Sequence, residues 1–169
     1  MTRAYAPQPV PREVLERIAA RVHRGAPSAG FSQGVRLALV QDEALRHRIA
    51  QLADEPYYLA NGYEAWMSQA PVHAVVLLRE QDYHDRYTEP KKLEADGSEM
   101  VWPAPYWWID AGQALMLLQL AALDEGLGCG VFTLYPEPNN AVLIRELGLP
   151  DDWAMVGVVA LGYPAPEPK

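Results

Sequence analysis

YWWIDAGQALMLLQLAALDEGLGC, residues 106–129, leaves almost no polar face when wound into a helix. Trp107, Trp108, Ile109, Ala111, Leu115, Leu118 and Ala122 fall on all sides of it. A helix that is apolar all round is buried on all sides. Asp110 and Gln113 near its start, with Asp124 and Glu125 at its end, argue against a membrane span. Two readings stand: a central core helix, or a core helix over 106–126 that also forms a dimer interface. The second has a physical motive, because a chain of 169 residues seldom covers such a helix alone. Gly126, Gly128 and Gly130 then alternate and lead into Val131-Phe132-Thr133-Leu134. That pattern predicts a helix stop and a tight turn feeding a strand, with backbone bare enough for a flat ligand to approach.

Downstream, 137–147 predicts an amphipathic helix stopped at Gly148, and AMVGVVALGYP (154–164) a buried strand. Residues 165–169 read as a short, proline-broken end. Upstream, 81–105 is long, polar and irregular, and reads as a lid-like insertion carrying Tyr83, Tyr87 and Trp102. VHAVVLL (72–78) is the clearest strand in the chain. His73 lies within it and reads as a satisfied core residue; no second histidine stands at a ligand spacing, so no metal site is expected. Residues 56–69 are aromatic-rich and predicted helical; Tyr58 and Trp66 either stack on a ligand or simply pack.

Val35 to Gln41 predicts a strand, followed by a helix capped by Asp42 and running to about Ala53. GAPSAGFSQG (25–34) combines proline, small residues and two serines, a tight flat loop whose amides and hydroxyls can reach a planar ligand. Before it, 12–24 has helical spacing, with Arg17, Arg21 and Arg24 on one flank as a solvated basic face or an anion site. Residues 1–10, rich in proline, read as an extended arm. Strands and helices alternate along a single domain, 1–169, so the class is α/β or α+β with helices around one mixed sheet.

A net charge of −8 disfavours a nucleic-acid partner. One cysteine, Cys129, rules out a disulfide framework and fits a reducing compartment. The early residues, broken by Pro7, Pro9 and Pro11, do not read as a signal peptide, so a cytoplasmic protein without a membrane segment is expected.

Three stretches together resemble the FMN-dependent nitroreductase family: GAPSAGFSQGVRLALVQD (25–42), DAGQALMLLQLAALDEGLGCGVF (110–132) and LGLPDDWAMVGVVALGYP (147–164). The resemblance implies an α+β nitroreductase-like fold and a homodimer with two FMN sites, each built from both chains. It places Pro27, Ser28, Ala29, Gly30 and Gln33 against the flavin, with Leu127, Gly128, Cys129 and Gly130 presenting backbone amides to its redox-active edge. Arg3 is the residue it assigns to the FMN phosphate, and Phe31 stands on the substrate side where the family often has asparagine. It implies a member shortened at both ends, lacking part of the family's arginine cluster and its basic tail. No side chain is assigned a catalytic role, because flavin carries hydride from NAD(P)H to a small conjugated or nitroaromatic-type substrate. A diverged protein that binds flavin weakly or not at all, serving as a ligand- or partner-binding module, is the alternative reading. A deazaflavin in place of FMN is a third.

Overall fold

The computed structural model describes residues 1–166; of the end expected to be proline-broken, 167–169 lie outside the described residues. Four strands form one sheet in the order β1-β2-β4-β3: β1 Val35–Val40, β2 Val72–Leu78, β3 Gly128–Phe132 and β4 Ala154–Gly162. Helices surround a single sheet, as expected, but the sheet is not mixed: all three strand pairings within it are antiparallel. β2 is central and every one of its residues is buried, which is what a run of Val, Ala and Leu with no exposed alternation requires. A register shift after Val76 marks a bulge against β4.

The two faces of the sheet are covered differently. On one, α1 (Arg12–Gly25) and α5 (Tyr106–Asp124) bury Leu15, Ile18, Ala114, Leu118 and Ala122 against Val72, Ala74, Val76 and Leu161. On the other, α2 (Glu43–Leu52) and α6 (Pro138–Glu146) bury Ile49, Leu143 and Ile144 against Val75, Leu77 and Val158. Asp42 caps α2 as the sequence predicts, its Oδ1 accepting from the Leu45 amide at 2.8 Å. His73 is fully buried, with Nε2 at 2.8 Å from the Met67 carbonyl, and burial lowers its pKa to about 4.

α5 packs on the sheet through only part of its circumference. Its buried residues, among them Asp110, Ala111, Ala114, Leu118 and Ala121, recur at helical spacing. Ile109, Met116, Leu120 and Leu123 recur on another face and are exposed, Leu120 by 55% and Leu123 by 57%. The two readings of this helix therefore separate by face: one side is core, and the other is an uncovered apolar stripe.

Three local expectations need correction. The helix expected over 56–69 is the short α3, Glu55–Ala60; Gly62 at φ +83 leaves the helical region, and the chain continues irregularly to Met67. There, Glu55 turns back and its buried carboxylate accepts the amides of Trp66 (2.9 Å) and Met67 (2.7 Å). Residues 81–105 do not begin as a loop: α4, Gln81–Tyr87, packs into the body of the protein. The Arg17, Arg21 and Arg24 flank of α1, expected as a solvated basic face or an anion site, is solvated but not unpaired, since the half-exposed Arg17 and Arg21 guanidinium groups engage the end of α5. Arg17 lies 2.6 Å from Glu125, and Arg21 pairs with Asp124.

Candidate flavin site

The 25–34 loop rests against the first turns of α5 before it enters β1. One 3-10 turn, Ala29–Phe31, carries Gly30 at φ +60 and Phe31 at φ +63, and Gln33 follows at φ +59. Left-handed backbone strains residues other than glycine, so it persists only where the surroundings hold it. Here Ser28 Oγ accepts the Gln33 amide at 2.7 Å, and Ser32 Oγ donates to the Ala29 carbonyl at 2.6 Å. The Ala29 amide donates to Asp110 Oδ2 at 2.7 Å, and Arg86 Nε donates to the Gly30 carbonyl at 2.7 Å. Phe31 is thrust outward and is 75% exposed. A cleft of about 200 Å³ beside the loop is lined by Pro27, Ser28, Gln33, Arg36 and His23. It is below the usual size for an organic cofactor.

A much larger cavity, about 700 Å³, opens on the opposite side of the sheet. Arg3, Tyr58, Tyr63, Trp66, Phe132, Thr133 and Tyr135 line it, with Glu55 and Glu64. Its volume falls in the range typical of small-molecule sites. Trp66 stands edge-on to Phe132, ring centres 5.6 Å apart, and the Arg3 guanidinium lies 5.5 Å from the Trp66 ring centre. Arg3 is the one cation among the lining residues. The aromatic wall suits a flat ligand, and Arg3 can meet an anionic group on it; of the two carboxylates in the lining, Glu55 is engaged by the Trp66 and Met67 amides and Glu64 shares the wall with Arg3.

The structure distributes the expected site residues over three places. Pro27, Ser28, Ala29, Gly30 and Gln33 lie together in the loop. Arg3 is in the large cavity, not beside that loop. Leu127 is core, 1% exposed, and Gly128, Cys129 and Gly130 form the buried start of β3 rather than an open turn. The space over them is filled by the N-terminal arm. The Thr2 amide donates to the Cys129 carbonyl at 2.7 Å, and Tyr5 pairs across to Pro164. A Cβ on Gly128 would come within 2.7 Å of Thr2 Cβ, and one on Gly130 within 2.7 Å of the Thr2 carbonyl oxygen. Alternate glycines here admit the protein's own backbone, which sequence alone does not distinguish from a ligand. The Cys129 thiol points at the Gln119 carbonyl, 3.7 Å away, and burial pushes its pKa up to about 11, so it is held as an unreactive thiol.

The residues expected in a lid also separate. Tyr83 is fully buried; its hydroxyl donates to Asp110 Oδ2 at 3.0 Å, so it is a core residue and not part of a lid. Tyr87 and Trp102 pack together with ring centres 4.5 Å apart, and Trp102 Nε1 donates to Glu99 at 2.6 Å. Glu99 also meets His84 Nδ1 at 2.8 Å. Partial burial alone would lower the His84 pKa, but hydrogen bonds with Glu99 and Glu80 outweigh it and raise it. Sequence reading missed Tyr63, Phe132, Thr133 and Tyr135 as wall residues and left Tyr58 and Trp66 undecided. The aromatic density of 57–66 together with the FTLY run at 132–135 was the available signal. No group of three or more His, Cys, Asp or Glu among the described residues is arranged to hold a metal ion.

α5 separates the loop from β3. At about 1.5 Å rise per residue, Asp110 and Asp124 lie ~21 Å apart along α5. No residue of the 25–34 loop lines the large cavity.

The fold recurs in solved structures. An FMN-dependent nitroreductase from Clostridium difficile superposes with a TM-score of 0.71 at 19% identity, over 99% of this chain and 84% of that one. A nitroreductase family protein from Streptococcus pneumoniae gives a TM-score of 0.73 at 16% identity, over 99% of this chain and 88% of that one. In sequence, an NADH dehydrogenase of Thermus thermophilus is 26% identical over 174 residues, 98% of this chain and 82% of that protein. An NADPH-dependent oxidoreductase of Staphylococcus aureus is 22% identical over 98% of this chain, which spans 61% of its length. Residues 1–163 match the nitroreductase family profile, and the chain belongs to the nitroreductase family.

Proposed function

We propose that this chain is an FMN-dependent oxidoreductase that works as a homodimer, passing hydride from NADH or NADPH to a small conjugated or nitroaromatic-type acceptor. The observation that carries the reading is the aromatic cavity of about 700 Å³ with Arg3 at its wall. Trp66, Phe132 and Tyr58 offer apolar faces to a flat ring, Thr133 a hydroxyl to its polar edge, and Arg3 a charge to a phosphate. FMN, when bound, supplies the hydride relay; the side chains bind it, orient it and exclude water. The exposed stripe of α5 supports a dimer. Antiparallel pairing of two such stripes would set the 25–34 loop of one copy, held at Asp110, beside the C-terminal end of α5 of the other. That meeting is what one chain cannot make by itself. The oxidoreductase names of the Thermus and Staphylococcus relatives support the reaction class and leave both nicotinamide donors open. The single buried thiol supports a cytoplasmic location.

Titration with FMN and with riboflavin tests the reading. Arg3→Ala is expected to weaken FMN roughly ten- to a hundredfold, the worth of one charge-assisted hydrogen bond, and to leave riboflavin unchanged. A wild-type protein that takes up neither flavin ends the proposal. FMN binding unaffected by Arg3→Ala would move the phosphate elsewhere.

A further inference from the structure

We propose that Asp110 and Arg86 are positioning residues that clamp the Ser28–Phe31 turn from two sides and thereby set flavin affinity. The inference rests on the flavin reading above. Both contacts are to backbone atoms of the turn: Asp110 Oδ2 accepts from the Ala29 amide, and Arg86 Nε donates to the Gly30 carbonyl, each at 2.7 Å. The Ala29 amide belongs to the 28–29 peptide and the Gly30 carbonyl to the 30–31 peptide, so the two contacts hold the peptides on either side of the 29–30 link. Asp110 is itself fixed. It sits in the first turns of α5, 5% exposed, and the buried Tyr83 hydroxyl donates to the same oxygen at 3.0 Å. Arg86 is fixed by Glu89, three residues on.

The turn needs such holding. Gly30, Phe31 and Gln33 all have positive φ, and Phe31 buries little of its ring to offset the strain. Packing closes the remaining directions. A Cβ on Gly30 would strike the Tyr87 ring, and one on Gly34 the Tyr83 ring and the Arg79 carbonyl. The Tyr83 and Tyr87 rings of α4 and the backbone at Arg79 thus occupy the volume into which the turn would relax. Neither Asp110 nor Arg86 lines the large cavity, so neither touches the ligand within its own chain. Their effect on binding passes through the placement of Ser28, Ala29 and Gly30 against the flavin held by the second copy.

The test compares Asp110→Ala, Asp110→Asn and Arg86→Met with wild type in two measurements on the full chain. The first is amide hydrogen exchange over residues 28–33; the second is FMN affinity by titration. Asp110→Ala is expected to speed exchange at Ala29 and to weaken FMN about ten- to a hundredfold. Asp110→Asn keeps an acceptor oxygen of the same size and is expected to restore most of both. Arg86→Met, at a half-exposed site, is expected to weaken FMN several-fold and keeps the test alive if Asp110→Ala does not fold. Faster exchange with wild-type FMN affinity in both Asp110→Ala and Arg86→Met would overturn the proposal, as would unchanged exchange. A wild type that binds no FMN would sink the flavin reading instead, and exchange alone would then decide whether the clamp exists.

Discussion

His73 shows how a single residue couples the core to pH. Its Nε2 meets the Met67 carbonyl, and Nδ1 is buried without a partner. The neutral ring satisfies that carbonyl as an N–H donor, so a second proton would face no acceptor. Burial is the main cause that lowers its pKa to about 4 from the ordinary value near 6.5. Because the folded pKa lies below the unfolded one, the unfolded chain binds more protons between those values. Stability contributed by neutral His73 is therefore full above about pH 6.5 and declines as pH falls toward 4, by on the order of 3 kcal/mol at most. Melting temperature followed from pH 7 to pH 4.5 should fall in wild type and fall less steeply in His73→Leu. Equal slopes would show that other groups govern acid stability. The sequence marked His73 as a core residue from its strand, but the ring nitrogen left without a partner is visible only once Met67 is folded back beside it.

At the scale of elements, the N-terminal arm acts as a strap over the start of β3. It has little regular structure of its own, yet Thr2, Tyr5 and Ala6 all bond to the strands at this edge. Thr2 reaches Cys129, Ala6 reaches Tyr163 at 2.8 Å, and the Tyr5 hydroxyl donates to the Ala160 carbonyl at 3.2 Å. Gly128→Leu should push Thr2 off the strand and lower stability by about 1–3 kcal/mol, the usual cost of overpacking. Because Arg3 follows Thr2, FMN affinity should fall in the same variant. Thermal melting and flavin titration check both; a Gly128→Leu protein as stable as wild type would mean the arm is not held there. α4 teaches the same lesson from the other direction. Its polar sequence reads as part of an insertion, but Tyr83 turns inward because its hydroxyl has Asp110 to bond, which makes deep burial tolerable.

For the whole molecule, the open matter is what covers α5. Ile109, Met116, Leu120 and Leu123 together form an apolar stripe of the kind that marks an interaction surface. Placing a charge at its centre, as in Leu120→Glu, puts two like charges into a twofold interface at no cost to an isolated chain. Sedimentation should show wild type as a dimer at micromolar concentration and Leu120→Glu dissociating about a hundredfold more readily, with FMN uptake lost alongside. A wild-type monomer would remove both the dimer and the two-chain flavin site. A dimer untouched by Leu120→Glu would place the interface elsewhere.

What the sequence determined by itself was local and periodic. The limits of β2, the Asp42 cap, the span of α1 and the extent of α5 all follow from spacing, capping and strand-forming residues, whose effects act within a turn or two. The family could be read from three motifs in order, and residues 1–163 match it. Only the tertiary structure decided which part of the protein packs against each of these small residues. Gly128 and Gly130 look as bare as Gly30 in the sequence, yet Thr2 covers the first pair and Tyr87 backs the last. The cavity wall likewise joins Arg3, Trp66 and Thr133 from distant parts of the chain. Non-local contacts of this kind leave no periodic signature, because they depend on where the sheet brings its edges rather than on neighbouring residues.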